Sequence, residues 1–310
     1  MFDARIPIFV TSTENDFYRF FPFTQGGVCS QLLETETLAL KDKILSLGDF
    51  YVRCAQSNDA PYLYDLLRAY GTHVNNYEDL ELFPEAKMDL IVKNISTCLT
   101  HRFFISFLLF WENRPIAFFQ VDPYRLETIT SNFNNKLLPA WSQCFAQRLE
   151  LDELMELNFV DRWQCFRDRF VENAFQSCLL PHNIIMPNAA HWLNFITVGL
   201  ETYKFLVQTL GPNDWVGNVS YNLFPEFQRK GLMTNMISIC NDVLAQNTHC
   251  KYLFSDRIAD KNIASIKLLQ KLNFESGGPF FAYYGPEYHT RKHPNGNFSE
   301  SCVCFYKKIA

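Results

Sequence analysis

Residues 218–246 read NVSYNLFPEFQRKGLMTNMISICNDVLAQ. An apolar strand pattern runs into Pro225, a charged turn and Gly231, and then a helical pattern with no charge in its first two turns. Such a helix start has no acidic side chain to cap it, so its first backbone N–H groups stay open to an anion. The unpaired donors and the helix dipole point the same way, which suits a phosphate. Taken alone, a Gln-x-x-Gly turn is a weak signal, because Arg229 and Lys230 would also suit a plain solvated turn.

Other chemistry-bearing patterns are sparser. His289 and His293 have i, i+4 spacing, but HTRKHPNG reads as a loop, so a metal pair is not expected. Ten cysteines are scattered through apolar stretches with no C-x-x-C, and only Cys302 and Cys304 are close, on one face of a strand. They read as reduced core residues of a cytosolic protein. A net charge of −5 gives no broad electrostatic footprint for nucleic acid or an anionic membrane.

The N-terminus has early acidic residues and no long apolar core, unlike a secretory signal. The strongest apolar run, residues 103–111, is about half the length of a membrane-spanning helix. The chain therefore reads as soluble and cytoplasmic, although a bacterial effector exported by an unseen signal would look identical.

The elements that must position the turn can be read in order. Residues 1–48 form an N-terminal extension with a helix-like segment over 30–47 that ends at Gly48. A strand at 50–54 leads to a helix with Ser57 or Asn58 as N-cap, Pro61 in its first turn and Gly71 as its stop. A helix over 86–99 precedes a hairpin of strands 103–111 and 115–121, joined by Glu112-Asn113-Arg114. From 123 to 212 the pattern turns mainly helical: two or three helices within 137–178, and a stretch at 191–210 whose length favours a helix while Gly199 and the residues before it would suit a strand. Alternation returns with a strand at 215–223, a helix at 232–246, a strand at 251–255, a helix at 263–272, a Gly277-Gly278 turn and strands at 280–284 and 301–307.

Three passages, FYVRCAQSNDAPYLYDLL, SYNLFPEFQRKGLMTNMI and NIASIKLLQKLNFESGG, resemble the GNAT superfamily of acetyl-CoA-dependent N-acyltransferases. They match its opening strand and helix, its CoA-binding Gln/Arg-x-x-Gly-x-Gly/Ala motif, and its Asn-x-x-Ser/Ala helix. The last two are most like the branch that acetylates ribosomal-protein N-termini, while RPIAFFQVDPY is similar to aminoglycoside and hydroxamate-siderophore acyltransferases. The resemblance covers about 50–122 and 214–308. It implies an α/β (α+β) fold with a mixed central sheet flanked by helices, in two halves, 49–122 and 213–310, separated by a helical insertion at 123–212.

The resemblance also implies roles. Gln228, Arg229, Lys230, Gly231, Leu232, Met233 and Thr234 would wrap the CoA diphosphate, with Gly231 allowing close approach. Asn222, Leu223 and Phe224 would offer main-chain groups to the pantetheine arm, and Pro225 would end their strand. An N–H near Leu223 would polarise the thioester oxygen. Asn262 would lie near the arm, though N-capping alone explains an Asn there, and Ser265 could reach the sulfur. The family's helix tyrosine, which protonates the leaving thiolate, is Leu269 here, which leaves Ser265, Tyr221 or water for that task; the glycine of Gly-Phe is Asn273, which still accepts a left-handed cap. Asp256 and Glu226 are candidate general bases, and Glu201 and His191 are further ones from the insertion.

The expected activity is transfer of an acetyl group from acetyl-CoA to a primary amine, either a peptide N-terminus or a small molecule, by direct attack in a ternary complex and without a metal. The insertion would shape the acceptor pocket, although its aromatic residues (Trp141, Trp163, Phe166, Phe170) are more simply its own core. A rival from another class is a GNAT-fold module that binds CoA or a partner without catalysis; a siderophore hydroxylamine or aminoglycoside acyltransferase is the rival among enzymes. The acceptor and the oligomeric state are not legible in the sequence.

Overall fold

The structure, a computed structural model, describes residues 30–41, 43–74, 88–145, 147–171, 189–284 and 298–310. Among the described residues eight strands form one sheet in the order β1-β2-β3-β4-β5-β6-β8-β7. The strands are β1 (Ile44–Leu47), β2 (Phe50–Cys54), β3 (Ile105–Trp111), β4 (Arg114–Arg125), β5 (Trp215–Leu223), β6 (Cys250–Ala259), β7 (Glu275–Tyr284) and β8 (Phe298–Lys308). All neighbours run antiparallel except β5 and β6, which are parallel and joined by a helical crossover. The mixed α/β architecture is the one the resemblance implies.

Helices cover both faces. On one face lie α1 (Glu34–Lys41), α9 (Leu232–Asn247) and α10 (Ile263–Lys271), whose apolar residues share a cluster with Val52, Phe107, Ala117, Phe119, Trp215, Val219 and Leu253 of the strands. In α9 the buried positions 232, 233, 236, 237, 240 and 244 follow the helical period, so one stripe meets the sheet. The other face is shared. Helices α2 (Ala60–Val74) and α3 (Met88–Thr100) pack on Leu108, Phe110 and Phe118. Helices α4 (Leu126–Asn132), α5 (Leu138–Ser142), α6 (Leu151–Glu156), α7 (Phe159–Arg169) and α8 (Ala189–Thr209) pack on Tyr124, Val216, Tyr252, Phe254, Cys302 and Cys304. Trp141, Phe166 and Phe170 are buried in this second cluster, with Trp163 packed against it.

Local chemistry explains several joints. Glu112 and Asn113 both adopt positive φ (47° and 64°) between the paired residues Trp111 and Arg114, a two-residue turn whose twist suits a hairpin. At the other end of β2, Arg53 holds Asp59 through two hydrogen bonds of 2.7 and 2.9 Å. Asp59 in turn accepts the Gln56 N–H at 2.7 Å, which fixes the single 3-10 turn ahead of α2. Hydrogen bonding to Asp59 raises the Arg53 pKa above its ordinary value.

Five sequence expectations change, and one ambiguity is resolved. The helix expected over 30–47 stops at Lys41, and Ile44–Leu47 becomes edge strand β1 because it finds a ladder partner in β2. The α2 cap is neither Ser57 nor Asn58, since both lie inside the 3-10 turn capped at Gln56. Gly71 does not stop α2, which continues to Val74. The ambiguous 191–210 stretch is a helix. The strand expected to end at 255 continues to Ala259 across a bulge, and Gly277 and Gly278 lie inside β7 beside a second bulge rather than in a turn.

Gly217 marks the tightest point of the β4-β5-β6 region. A Cβ there would meet Val121 Cγ1 at 2.4 Å and Leu253 Cδ2 at 2.9 Å, and both residues are fully buried. Gly217→Ala is expected to destabilise the chain by about 2 kcal/mol through overpacking. A urea midpoint equal to wild type at unchanged m-value would contradict this.

Candidate active site

The site is built around a fork in the sheet. Strands β5 and β6 pair only as far as Asn218 with Phe254. Beyond that point β5 continues to Leu223 along β4, and β6 continues to Ala259 along β8. The direction of the main chain inside the gap follows from alternation. Phe224 N–H donates to Ile116 O (3.0 Å) on β4, whereas Trp215 N–H donates to His249 O (3.2 Å) on the β6 side. Even-numbered residues of β5 therefore turn their main-chain groups to β4, and Val219, Tyr221 and Leu223 turn theirs into the gap.

The mouth of the fork carries the glycine turn. After β5, Pro225–Phe227 form a 3-10 turn, and the loop to α9 passes through two left-handed residues, Arg229 (φ 62°) and Gly231 (φ 74°). Successive turns of this kind aim backbone N–H groups into one concavity. Asn235 N–H is bonded to Gly231 O at 3.1 Å, so Leu232, Met233 and Thr234 lie ahead of the helix ladder with N–H groups that have no intrahelical acceptor. Gly231 is the N-cap residue, with no side-chain cap bond and no acidic residue in the first turn. A Cβ built on Gly231 meets nothing within 4 Å, so open space lies in front of the turn. The Gln228 side chain donates to Leu223 O (3.1 Å) and ties the loop to the strand, while Lys230 Nζ sits 5.3 Å over the Phe227 ring. Open donors, open space and an adjacent cation fit a diphosphate.

Because β5 and β6 are parallel, α9 and α10 begin at the same end of the fork. Asn262 caps α10, its side chain accepting from Ser265 N–H at 3.2 Å. That bond uses one acceptor site of Oδ1 and leaves the amide nitrogen to donate.

The structure places the remaining sequence-derived candidates as follows. Of Asn222, Leu223 and Phe224, only Leu223 turns its main chain into the gap. Asn222 is buried and donates to Leu66 O (3.3 Å), which ties β5 to α2. Tyr221 is half-buried against the α9 and α10 cluster. Glu226 is exposed in the 3-10 turn at the mouth, away from the base of the fork. Asp256 lies within β6 at the bulge between Ser255 and Ile258 rather than at the strand's end, and its side chain is outside the described residues. The His191 side chain, His289 and His293 are also outside them. Glu201 pairs with Arg162 at 2.6 Å, linking α7 and α8. Burial lowers the Arg162 pKa and Glu201 counters it, so this carboxylate serves the helical cluster. Leu269 is fully buried in the core, and Asn273 adopts the left-handed conformation (φ 59°). The gap-facing main chains of Val219 and Tyr221 were missed in the sequence, because strand alternation points them only once the pairing partner is known.

Burial pushes the Cys240 and Cys250 thiols well above their ordinary pKa, so both are inert at neutral pH. Among the described residues no helix is long and apolar enough to cross a membrane.

No family model matches the chain, and no curated protein matches it. Among solved structures it is similar to a ribosomal-protein-S5-alanine acetyltransferase from Vibrio fischeri, at 14% identity and a TM-score of 0.44, over 86% of this chain and 97% of that one. A ribosomal L7/L12 α-N-protein acetyltransferase solved with coenzyme A is similar at 10% identity and a TM-score of 0.44, over 86% and 98%. A phosphinothricin acetyltransferase from Sinorhizobium meliloti solved with acetyl-CoA is similar at 13% identity and a TM-score of 0.43, over 85% and 90%.

Proposed function

We propose that this chain is an acyl-CoA-dependent N-acetyltransferase that moves an acetyl group to a primary amine. The observation that supports it best is the β5–β6 fork opening onto the uncapped start of α9. An extended arm carrying amides can add to β5 as a strand would, bonding the main-chain groups of Val219, Tyr221 and Leu223. From Leu223 back to Asn218 that edge spans roughly 17 Å at strand rise. The arm's phosphates then reach Arg229–Thr234, and its far end reaches the base of the fork.

Acetyl-CoA, when bound, supplies an acyl group activated as a thioester. The chain's own part is to fix that carbonyl against a strand N–H at the base of the fork, and not near Leu223 at its mouth as the resemblance implied, which stabilises negative charge on its oxygen. The amine is held beside it so that attack is effectively unimolecular. Leu269 is core and gives no proton to the leaving sulfur; Tyr221 or water does so, because Ser265 at the start of α10 stands at the mouth of the fork, beside the phosphates. Helices α4–α8 roof the sheet face opposite α9 and α10, and we assign them the shaping of the acceptor pocket.

Incubation with acetyl-CoA and a panel of amines and peptide N-termini, followed by free-thiol detection, tests this. Amine-dependent thiol release is expected. Acetyl-CoA binding with no turnover on any acceptor would favour a non-catalytic binding module, and absence of acetyl-CoA binding would refute both readings.

A further inference from the structure

One polar seam remains unused on the sheet face roofed by α2–α8. Leu108, Phe118, Tyr124 and Val216 all face that side, so by strand alternation Ser106, Gln120, Asp122, Asn218 and Ser220 face it too. Register makes them neighbours: Ser106 opposite Gln120, Gln120 opposite Ser220, and Asp122 opposite Asn218. The seam lies between two apolar clusters, that of α2 and α3 and that of α4–α8. Its Asp122–Asn218 rung is level with the last β5–β6 pair, the base of the fork.

Two of its oxygens have no partner although they are buried. Ser106 is 1% exposed and its Oγ makes no hydrogen bond, and neither does Asn218 Oδ1. Buried polar atoms left unpaired are costly, and they persist where a ligand takes the bond. Gln120 Nε2 donates to Asp122 Oδ1 at 2.9 Å and orients the carboxylate. The negative charge of Asp122 contributes, after burial, to raising the pKa of Cys98 in α3. Gln120, Asp122, Asn218 and Ser220 are half-buried, not sealed.

We propose that this seam is the acceptor subsite and that it takes a primary ammonium group, held by the Asp122 carboxylate and Asn218 Oδ1 with Gln120 as a positioning residue. The proposal rests on the acetyltransferase reading and deepens it. A carboxylate and an amide oxygen form an acceptor set that matches N–H donors on a cation. The ammonium held there lies at the base of the fork, where the arm along β5 ends. It passes one proton to Asp122 or to water before its lone pair attacks the thioester carbonyl, the N–C bond forming as the C–S bond breaks and the thiolate leaves.

The test compares the full-length wild type with Asp122→Asn and Asn218→Ala. Acetyl-CoA affinity, butylamine binding to the CoA-saturated chain by calorimetry, and the KM and kcat for butylamine and for hydroxylamine, which is largely neutral at pH 7.5, are measured. In Asp122→Asn, butylamine affinity is expected to fall and its KM to rise at least tenfold, with hydroxylamine KM and acetyl-CoA affinity within twofold of wild type. Asn218→Ala is expected to weaken butylamine about threefold without affecting acetyl-CoA. Unchanged butylamine affinity in a folded Asp122→Asn would overturn the subsite while leaving the fork reading intact. If wild type fails to bind acetyl-CoA, the fork reading falls, and the same butylamine titration of the CoA-free chain still decides the seam.

Discussion

Gly231→Glu should weaken acetyl-CoA binding by about 100-fold or more while leaving the chain folded. The φ of 74° is unfavourable for any residue with a Cβ, which costs about 1 kcal/mol, and the space in front of the Cβ is open, so no clash adds to it. The introduced carboxylate stands at the helix start, among the donors assigned to the diphosphate. At about 5 Å and an effective dielectric near 20, each pair of like charges repels by about 3 kcal/mol. Affinity should therefore fall by about 100-fold or more. Gly231→Ala carries the same backbone strain without the charge and should lose less than about tenfold. Equilibrium titration of both variants reads the difference. Wild-type affinity in a folded Gly231→Glu would remove the diphosphate from this turn.

Glu36→Ala is expected to produce the largest loss of stability. Glu36 is 2% exposed, and its Oε1 accepts the Trp215 indole N–H at 3.0 Å and the His249 backbone N–H at 2.7 Å, with His249 Nδ1 at 3.1 Å. Its other oxygen accepts the Leu33 N–H at 3.1 Å, the capping bond of α1, and lies 3.7 Å from Arg125 Nη2. One carboxylate thus joins α1, the end of β4, the start of β5 and the entry to β6. Its removal strands a buried guanidinium and an indole N–H together, so a loss of about 3–5 kcal/mol is expected. Glu36→Gln keeps an acceptor but not the charge, and should fall between. Urea unfolding measures both, and a loss under about 1 kcal/mol for Glu36→Ala would contradict the staple.

Much of the site was legible because its signals are local. Pro225, Gly231 and Asn273 act through the backbone angles of their own turns and Asn262 through its side-chain cap bond, and each lies at the joint its type suggests. What depends on pairing was not legible. The strand at 251–255 reads as ending before Asp256, yet β6 continues across its bulge because β8 offers a ladder through Ala259 with Cys302. The fork exists only because β5 and β6 choose different partners after Asn218, which no short window records. Glu36 sits in LETETLAL two residues after Glu34, and nothing there marks it as the buried one. Gly71 was read as a stop, but α2 carries it, and a single glycine costs a helix only about 1 kcal/mol.

The central claim is where the acyl carrier lies, and amide hydrogen exchange with and without coenzyme A tests it most directly. Binding should slow exchange at the amides of Arg229–Thr234 and at Val219, Tyr221 and Leu223, while those of β1 and β2 stay unchanged. Protection that spares both the α9 turn and the β5 edge, with coenzyme A bound, would contradict the fork as its site.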